Sequence, residues 1–169
     1  MAASLRLMQK GIDGARWTAQ PDFHLTLRFV GAADEDILAR IGRGLAQVRA
    51  SSFDFTLAGA GSFPPSDWMQ AAWMGVDAPP ALVDLKKQID DVLVTCGIAR
   101  EPRPFTPHVT MAYLRAGDAQ DVARFIQTHK SYRSTTVRAD RFTLYESLPD
   151  RADNAQKYLP LADYSLLTT

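Results

Sequence analysis

Two short stretches, His24-Leu25-Thr26-Leu27 and His108-Val109-Thr110-Met111, decide how this sequence folds. Each reads histidine, apolar residue, threonine, apolar residue, and together they hold two of the three histidines in the chain. Alternate side chains of a β-strand point to opposite faces. Each stretch is therefore expected to be a strand with an imidazole and a hydroxyl on one face and two apolar side chains on the other.

Outside these motifs, hydrophobic periodicity predicts a mixture of helices and strands. Helices are expected over residues 79–96, where Gly97 ends the helix, from Asp34 through Val48, from Asp118 onward, and in a short segment before Gly11. The β-like runs lie between them, at residues 23–30, 53–57, 71–76, 108–114, 137–145 and 158–166.

The order helix, strand, helix, strand, strand occurs over residues 2–76 and again over 79–166, which indicates an internal duplication. Strands that follow one another without a helix between them favour antiparallel pairing. We therefore expect an α+β fold, a single bilobal domain over residues 1–169. Its two pseudo-symmetric lobes would carry antiparallel sheets that flank a central cleft, with helices on the outer faces. A strand precedes the second repeat but not the first, so the N-terminal strand of the first lobe is expected to be missing.

Composition limits the classes of function. The 169 residues include 19 basic and 19 acidic side chains, so no global charge attracts nucleic acid or an anionic membrane, and any such partner must be held locally. A single cysteine, Cys96, excludes an intramolecular disulfide, and no apolar run is long enough for a membrane span. These features predict a cytoplasmic protein with no membrane partner.

The duplication would bring the two motifs, 84 residues apart, across one cleft. Two facing imidazoles suit in-line displacement at phosphorus: a neutral His24 or His108 accepts a proton from the attacking water while the other, protonated, donates one to the leaving oxygen. The Thr26 and Thr110 hydroxyls could donate to the phosphoryl oxygens. A zinc site would need a further ligand, so the sequence predicts no metal and no cofactor.

The motifs and their surroundings resemble the two-histidine (2H) phosphoesterase superfamily, and more narrowly the bacterial RNA 2',3'-cyclic phosphodiesterases, also called 2'-5' RNA ligase-like proteins. The resemblance extends from about residue 5 to the C-terminus. Besides the two motifs, it is carried by Gly14-Ala15-Arg16-Trp17, Pro21, Arg28-Phe29-Val30-Gly31, Gly61-Ser62-Phe63-Pro64, Trp73-Met74-Gly75-Val76, Arg103-Pro104-Phe105-Thr106-Pro107 and Leu144-Tyr145-Glu146-Ser147.

This resemblance implies an enzyme that opens the 2',3'-cyclic phosphate of RNA or oligonucleotide ends to a 2'-phosphomonoester without a metal, and no obligate protein partner is inferred. By position, His24 and His108 would be the catalytic acid and base, in an order the sequence leaves open. Arg28 lies two residues after Thr26, on the same face of the predicted strand, and is expected to bind phosphate with both threonines.

Three further residues are candidates for substrate binding. Phe63 lies in a stretch rich in glycine and proline that would rim the cleft and stack on a base. Tyr113 stands where many relatives have an arginine, and would offer a ring or a hydroxyl instead. Arg103 would belong to a local basic rim.

Two alternatives remain open at the level of sequence. One is a phosphodiesterase acting on another cyclic or 2'-5' linked nucleotide, and the other is a non-catalytic protein that binds RNA ends. Turnover of a cyclic-phosphate substrate by the intact protein would separate the enzymes from the binding protein.

Overall fold

The computed structural model describes residues 2–64, 70–114, 119–148 and 156–168, so Asp118, the expected start of one helix, lies outside the described residues. The elements, in chain order, are helix α1 (Ala2–Met8), strand β1 (Arg16–Trp17), a 3-10 helix (Gln20–Asp22), α2 (Glu35–Leu45), β2 (Phe53–Ser62), β3 (Gln70–Asp77), α3 (Pro80–Thr95), β4 (His108–Leu114), α4 (Ala119–His129), β5 (Val137–Ala139), β6 (Arg141–Ser147) and β7 (Tyr158–Ser165).

Two antiparallel sheets confirm the predicted α+β class. The larger sheet has five strands in the order β1-β4-β3-β2-β5, and the smaller one pairs β6 with β7. The two halves of the repeat interleave in the large sheet, because β4 from the second half lies between β1 and β3 from the first. Each sheet is therefore packed with elements that come from both halves of the sequence.

Each sheet has its own hydrophobic core. One core packs α1 and α4 against the five-stranded sheet and includes Leu5, Ile12, Leu57, Ala72, Met74, Val109, Met111, Leu114, Val122 and Phe125. The other packs α2 and α3 with the β6–β7 sheet and includes Ile41, Leu45, Val48, Phe53, Leu82, Leu85, Ile89, Leu93, Cys96, Phe142 and Leu166. The lone cysteine is thus a small buried side chain, as its place on the apolar stripe predicts.

Two helix signals in the sequence, the cap at Asp34 and the stop at Gly97, are confirmed. The Asp34 carboxylate accepts a hydrogen bond from the backbone N–H of Ile37 at 2.8 Å and caps α2. Gly97, with φ of +93°, follows the last turn of α3 in the left-handed conformation that favours glycine. The structure ends α2 at Leu45, three residues before the expected end at Val48.

The prediction of a strand at residues 23–30 is wrong. Within this range, only Leu25 makes a β-bridge, which is antiparallel and joins it to Val109. The physical reason lies just before it. The chain pairs with β4 through Trp17, leaves the sheet in the 3-10 helix at Gln20–Asp22, and returns beside β4 at Leu25. Beyond that bridge, Leu27 and Val30 pack on the core of the smaller sheet.

Two other strand predictions need correction. The run expected at residues 137–145 is two strands that change sheets at Asp140, because β5 pairs with β2 whereas β6 pairs with β7. The run expected at residues 53–57 continues to Ser62, past a bulge between Leu57 and Ala60. The two-residue strand β1 carries too little periodicity to be found in the sequence.

A matched pair of glycines in α2 tests the packing of α2 on α3. A methyl group added at Gly44 would lie 2.6 Å from Cγ1 of Val92, whereas one at Gly42 would meet nothing closer than the Tyr164 hydroxyl at 3.7 Å. Gly42→Ala should raise the free energy of unfolding by about 0.5–1 kcal/mol through helix propensity. Gly44→Ala should lower it by about 1 kcal/mol, since overpacking outweighs the same gain. Chemical denaturation of both variants measures the difference, and equal effects would contradict the close approach of the helices.

Candidate active site

The bridge between Leu25 and Val109 places the two motifs side by side in antiparallel register. The register of this bridge, continued by one residue in each direction, would set His24 opposite Thr110 and Thr26 opposite His108. The two imidazoles would then be diagonal to each other, a relation that separates Cα atoms on neighbouring strands by roughly 7–8 Å. His24 and Thr110 do line one cavity.

The apolar residues of the motifs anchor this arrangement. Val109 and Met111 are 3% and 0% exposed and belong to the core of the five-stranded sheet, whereas Leu25 and Leu27 pack on the other core. His24, Thr26, His108 and Thr110 are all half-buried. One face of the paired motifs is therefore fixed by both cores, and the polar side chains lie at the junction between them.

Both imidazoles are held in the same tautomer by the same local contact. Nδ1 of His24 donates to the carbonyl oxygen of Asp22 at 2.7 Å, and Nδ1 of His108 donates to that of Thr106 at 2.6 Å. A carbonyl oxygen only accepts, so the proton of each neutral ring must be on Nδ1. Each ring thus keeps Nε2 for another partner, as an acceptor when neutral and as a donor when protonated.

The ring of His108 lies in an apolar aromatic setting. The Phe63 ring meets it edge-on at 4.8 Å between centroids, and the Trp73 indole lies 5.8 Å away. The indole covers Gly61, where an added methyl group would lie 2.2 Å from a ring carbon, which explains the glycine at this position. Burial lowers the pKa of His108, and the charge of His24 lowers it further, while the hydrogen bond to Thr106 opposes both.

The ring of His24 is surrounded by phenols instead. The Tyr158 ring lies 4.3 Å from it and the Tyr145 ring 6.4 Å. Burial, with smaller contributions from Tyr113 and the Asp22 carboxylate, raises the pKa of Tyr158 to about 12. Tyr158 is therefore a neutral hydroxyl at physiological pH.

A cavity of about 260 Å³ opens at the His24 end of the motifs. It includes two predicted site residues besides His24, namely Thr110 and Tyr113. The Arg16 guanidinium lies 5.3 Å above the Tyr113 ring and adds positive charge to the wall. The remaining lining residues are Trp17, Thr18, Ala19, Asp22, Ser147, Lys157 and Tyr158. An anion held here would meet an imidazole, a threonine hydroxyl and two cationic side chains.

Asp22 is a site residue that the sequence analysis missed. Its side chain is 6% exposed, and its carboxylate accepts hydrogen bonds from the backbone N–H groups of Lys157, at 3.0 and 3.1 Å, and Tyr158, at 3.3 Å. It thereby joins the turn that orients His24 to the start of β7, which carries the Tyr158 ring tilted against His24. Tyr158 was missed for the same reason, because no local pattern relates residues more than 130 positions apart.

The structure does not bring Arg28 into this cavity. Its side chain is 8% exposed and forms ion pairs with Asp90 at 3.2 Å and Glu101 at 3.4 Å, besides donating to the carbonyl oxygen of Ala99. The expected strand face fails here because the chain has left β4 after Leu25. The guanidinium is already paired with two carboxylates and does not line the cavity, so Arg28 is not among the proposed phosphate-binding residues.

Arg103 also pairs with Glu101, through Nε at 2.8 Å and Nη2 at 3.0 Å. These hydrogen bonds, with a weaker effect of Arg28, lower the pKa of Glu101 to about 2, so this carboxylate is charged at any physiological pH. Arg103 itself is exposed and does not line the cavity at His24. Its expected contact with substrate stays a prediction, as does stacking on Phe63.

Two further searches cover the described residues. Within residues 2–64, 70–114, 119–148 and 156–168, no three histidine, cysteine or carboxylate side chains cluster in a way that could hold a metal ion. In the same part of the chain, each helix is too short or too polar to cross a bilayer.

Comparison with known proteins relates the chain to one family. The model of the 2'-5' RNA ligase superfamily matches residues 6–151. An RNA 2',3'-cyclic phosphodiesterase of Aeropyrum pernix is 36% identical over 95 residues, 56% of this chain and 54% of its own. One of Geobacillus stearothermophilus is 28% identical over 153 residues, 89% of this chain and 48% of its own. The chain thus spans about half the length of these two relatives.

A solved structure shares the fold. The crystal structure of Escherichia coli LigT complexed with 3'-AMP superposes with a TM-score of 0.71 at 22% sequence identity, over 98% of this chain and 88% of that chain. At this level of identity the likeness extends to the fold, which is α+β with a curled antiparallel sheet.

The electrostatic contact between the two imidazoles can be measured directly. Replacing His24 by glutamine removes a positive charge that lowers the pKa of His108, so the pKa of His108 should rise in His24→Gln. NMR titration of the imidazole resonances measures it. His129→Gln is the matched control and should leave the pKa of His108 unchanged, since His129 ends α4 and contacts Phe125 instead. An unchanged value in His24→Gln would mean that the two rings are not electrostatic neighbours.

Proposed function

The chain belongs to the 2'-5' RNA ligase superfamily, and from that premise we propose that it hydrolyses a terminal RNA 2',3'-cyclic phosphate to a 2'-phosphomonoester by metal-independent, two-histidine acid–base catalysis. The observation that carries the proposal is the Leu25–Val109 bridge, which brings the two motifs together, while a backbone contact at Nδ1 of each imidazole leaves Nε2 for substrate. The names of the relatives, RNA 2',3'-cyclic phosphodiesterase, support the substrate class.

The environments of the two rings support different catalytic roles for the two histidines. His108 is the general base, because burial lowers its pKa and so keeps Nε2 unprotonated near neutral pH. His24 is the general acid, since it lies in the cavity beside phenol hydroxyls rather than against Phe63 and Trp73. The same tautomer in both rings allows the roles to differ in protonation state alone.

The reaction balances with these two groups. Nε2 of His108 accepts a proton from water as the water oxygen bonds to phosphorus, and the bond from phosphorus to O3' breaks on the opposite side. The His24 imidazolium donates its proton to O3', which leaves a 3'-hydroxyl and a 2'-phosphate. The hydroxyls of Thr26 and Thr110 donate to the non-bridging oxygens as negative charge develops on them. One proton is gained and one is lost, so a transfer between the rings through solvent restores the enzyme.

Hydrolysis of a dinucleotide ending in a 2',3'-cyclic phosphate tests the proposal. We expect turnover in excess EDTA to the 2'-phosphomonoester, and a loss of roughly 10²- to 10⁴-fold in kcat for His24→Ala and for His108→Ala. His129→Ala is the control and should retain full activity. Product identity is read by phosphorus NMR or chromatography.

Each of the other outcomes of that assay would contradict a different part of the proposal. Binding of the dinucleotide without turnover would favour a protein that only binds RNA ends. Activity lost in EDTA and restored by zinc would contradict the metal-independent mechanism. Turnover of small cyclic nucleotides alone would preserve the mechanism and contradict the RNA substrate.

The pH profile tests the assignment of the base. The acidic limb of kcat/KM should lie below pH 6.5, because His108 must be neutral and burial lowers its pKa. Phe63→Ala admits water to the ring and should move this limb toward 6.5, lowering the rate at pH 6 while the alkaline limb stays in place. Phe29→Ala, which removes an exposed ring elsewhere, is the control. An acidic limb unmoved by Phe63→Ala would assign it to a group other than His108.

A further inference from the structure

A second and larger cavity adjoins the one at His24. Its volume is about 630 Å³, and the two cavities share Trp17, Thr18 and Ala19 as a common wall. The far side is formed by Arg6 of α1, by Gln9 just after this helix, and by Gln20 of the 3-10 helix. A ligand that fills the first cavity and extends along residues 17–20 would therefore enter the second.

The charges along these two cavities are suited to a polyanion. Arg6 lines the second cavity, and Arg16 and Lys157 line the first. Among the described residues that line the two cavities, the one carboxylate is that of Asp22, which accepts hydrogen bonds from the backbone N–H groups of Lys157 and Tyr158. The chain as a whole has zero net charge, so this surface concentrates positive charge locally.

The second cavity also offers the groups that bind a nucleoside. Trp17 forms part of its wall and is supported by the Phe125 ring at 6.1 Å, so its position is fixed by the core. Gln9 is oriented by donating a hydrogen bond to the carbonyl oxygen of Thr18 at 2.6 Å, and Gln20 is exposed. Aromatic rings that stack on bases, next to cations that bind the backbone, are typical of single-stranded nucleic acid sites. The volume is within the range of small-ligand pockets, about 300–1,000 Å³.

We propose that this second cavity binds the nucleotide on the 5' side of the one that carries the cyclic phosphate, with Arg6 on the connecting phosphodiester and Trp17 and Gln20 against the nucleoside. The inference rests on the proposed function and deepens it. In a 3'-terminal cyclic phosphate both ribose hydroxyls are bound to the reacting phosphorus, so the RNA continues only through O5'. A cavity contiguous with the reaction site is then where that continuation lies. The enzyme accordingly prefers oligonucleotides to mononucleotides.

The test compares kcat/KM on two substrates with the same terminal nucleoside, a trinucleotide and a mononucleotide, both with a 2',3'-cyclic phosphate. We expect the trinucleotide to be preferred. Arg6→Ala should lower kcat/KM for the trinucleotide about 3- to 10-fold, as one charge-assisted contact to phosphate is lost, and leave the mononucleotide unchanged. The exposed Arg40 on α2 lines neither cavity, and Arg40→Ala is the matched control. Gln20→Ala is a second variant, which removes the side chain proposed to contact the nucleoside.

Salt dependence gives an independent readout. A cation that contacts a phosphate of a single strand contributes a slope of about −0.7 to the logarithm of affinity against the logarithm of salt concentration. The KM of the trinucleotide should therefore depend less steeply on salt in Arg6→Ala than in Arg40→Ala, by about 0.7 in slope. Equal salt slopes for Arg6→Ala and Arg40→Ala would overturn the proposal. So would an equal loss of kcat/KM on the trinucleotide and the mononucleotide in Arg6→Ala.

The two proposals fail in different ways. If the protein hydrolyses both substrates with equal kcat/KM, and Arg6→Ala changes neither, the second cavity is not a nucleotide site although the proposed function holds. If it hydrolyses neither, the proposed function fails, and calorimetric binding of the trinucleotide to the unmodified protein and to Arg6→Ala then decides the cavity alone. Equal affinities of the two proteins for the trinucleotide would contradict a nucleotide site in the second cavity.

Discussion

The antiparallel contact between Leu25 and Val109 is the constraint on which the rest of the structure depends. It joins two segments that are far apart in sequence, and each segment is held by a different hydrophobic core. A shift of this register by one residue would turn an imidazole toward a core and a leucine or valine toward the cavity. The cores therefore specify the register, and the register specifies which polar side chains come together at the site.

Ion pairs secure the flanks of both motifs. Arg28, just after the first motif, pairs with Asp90 on α3 and with Glu101 in the segment that leads to the second motif. Asp90 is shared with Lys86, a largely buried side chain one helical turn away. Because the Arg28 side chain is largely buried, removing one of its partners would be costly, and these ion pairs tie both flanks to α3. The residue expected to hold phosphate instead helps to fix the geometry of the segments on either side of it.

Local signals in the sequence were enough for much of the fold. Asp34 and Gly97 marked helix ends, the stripe through Leu82, Leu85 and Ile89 marked a buried face, and the repeated His-x-Thr pattern marked the pair of segments that the structure brings together. The failures share one cause, which is dependence on distant partners. The direction of Arg28 is set by α3, and the place of Asp22 at the site is set by β7. Neither partner produces a recognisable sequence pattern near the residue that it positions.

The duplicated motif raises a chemical problem, because identical halves would give two histidines with the same affinity for protons, whereas acid–base catalysis needs one neutral and one charged. The rings share their tautomer and their backbone contact, so the difference must come from what surrounds them. Phe63 and Trp73 cover part of the His108 ring with apolar surface, and Tyr145 and Tyr158 present hydroxyl-bearing rings to His24. Both aromatic pairs lie outside the repeated tetrapeptides. The motif thus supplies the common geometry, and the residues that differ between the two halves supply the asymmetry that the proposed two-histidine mechanism requires.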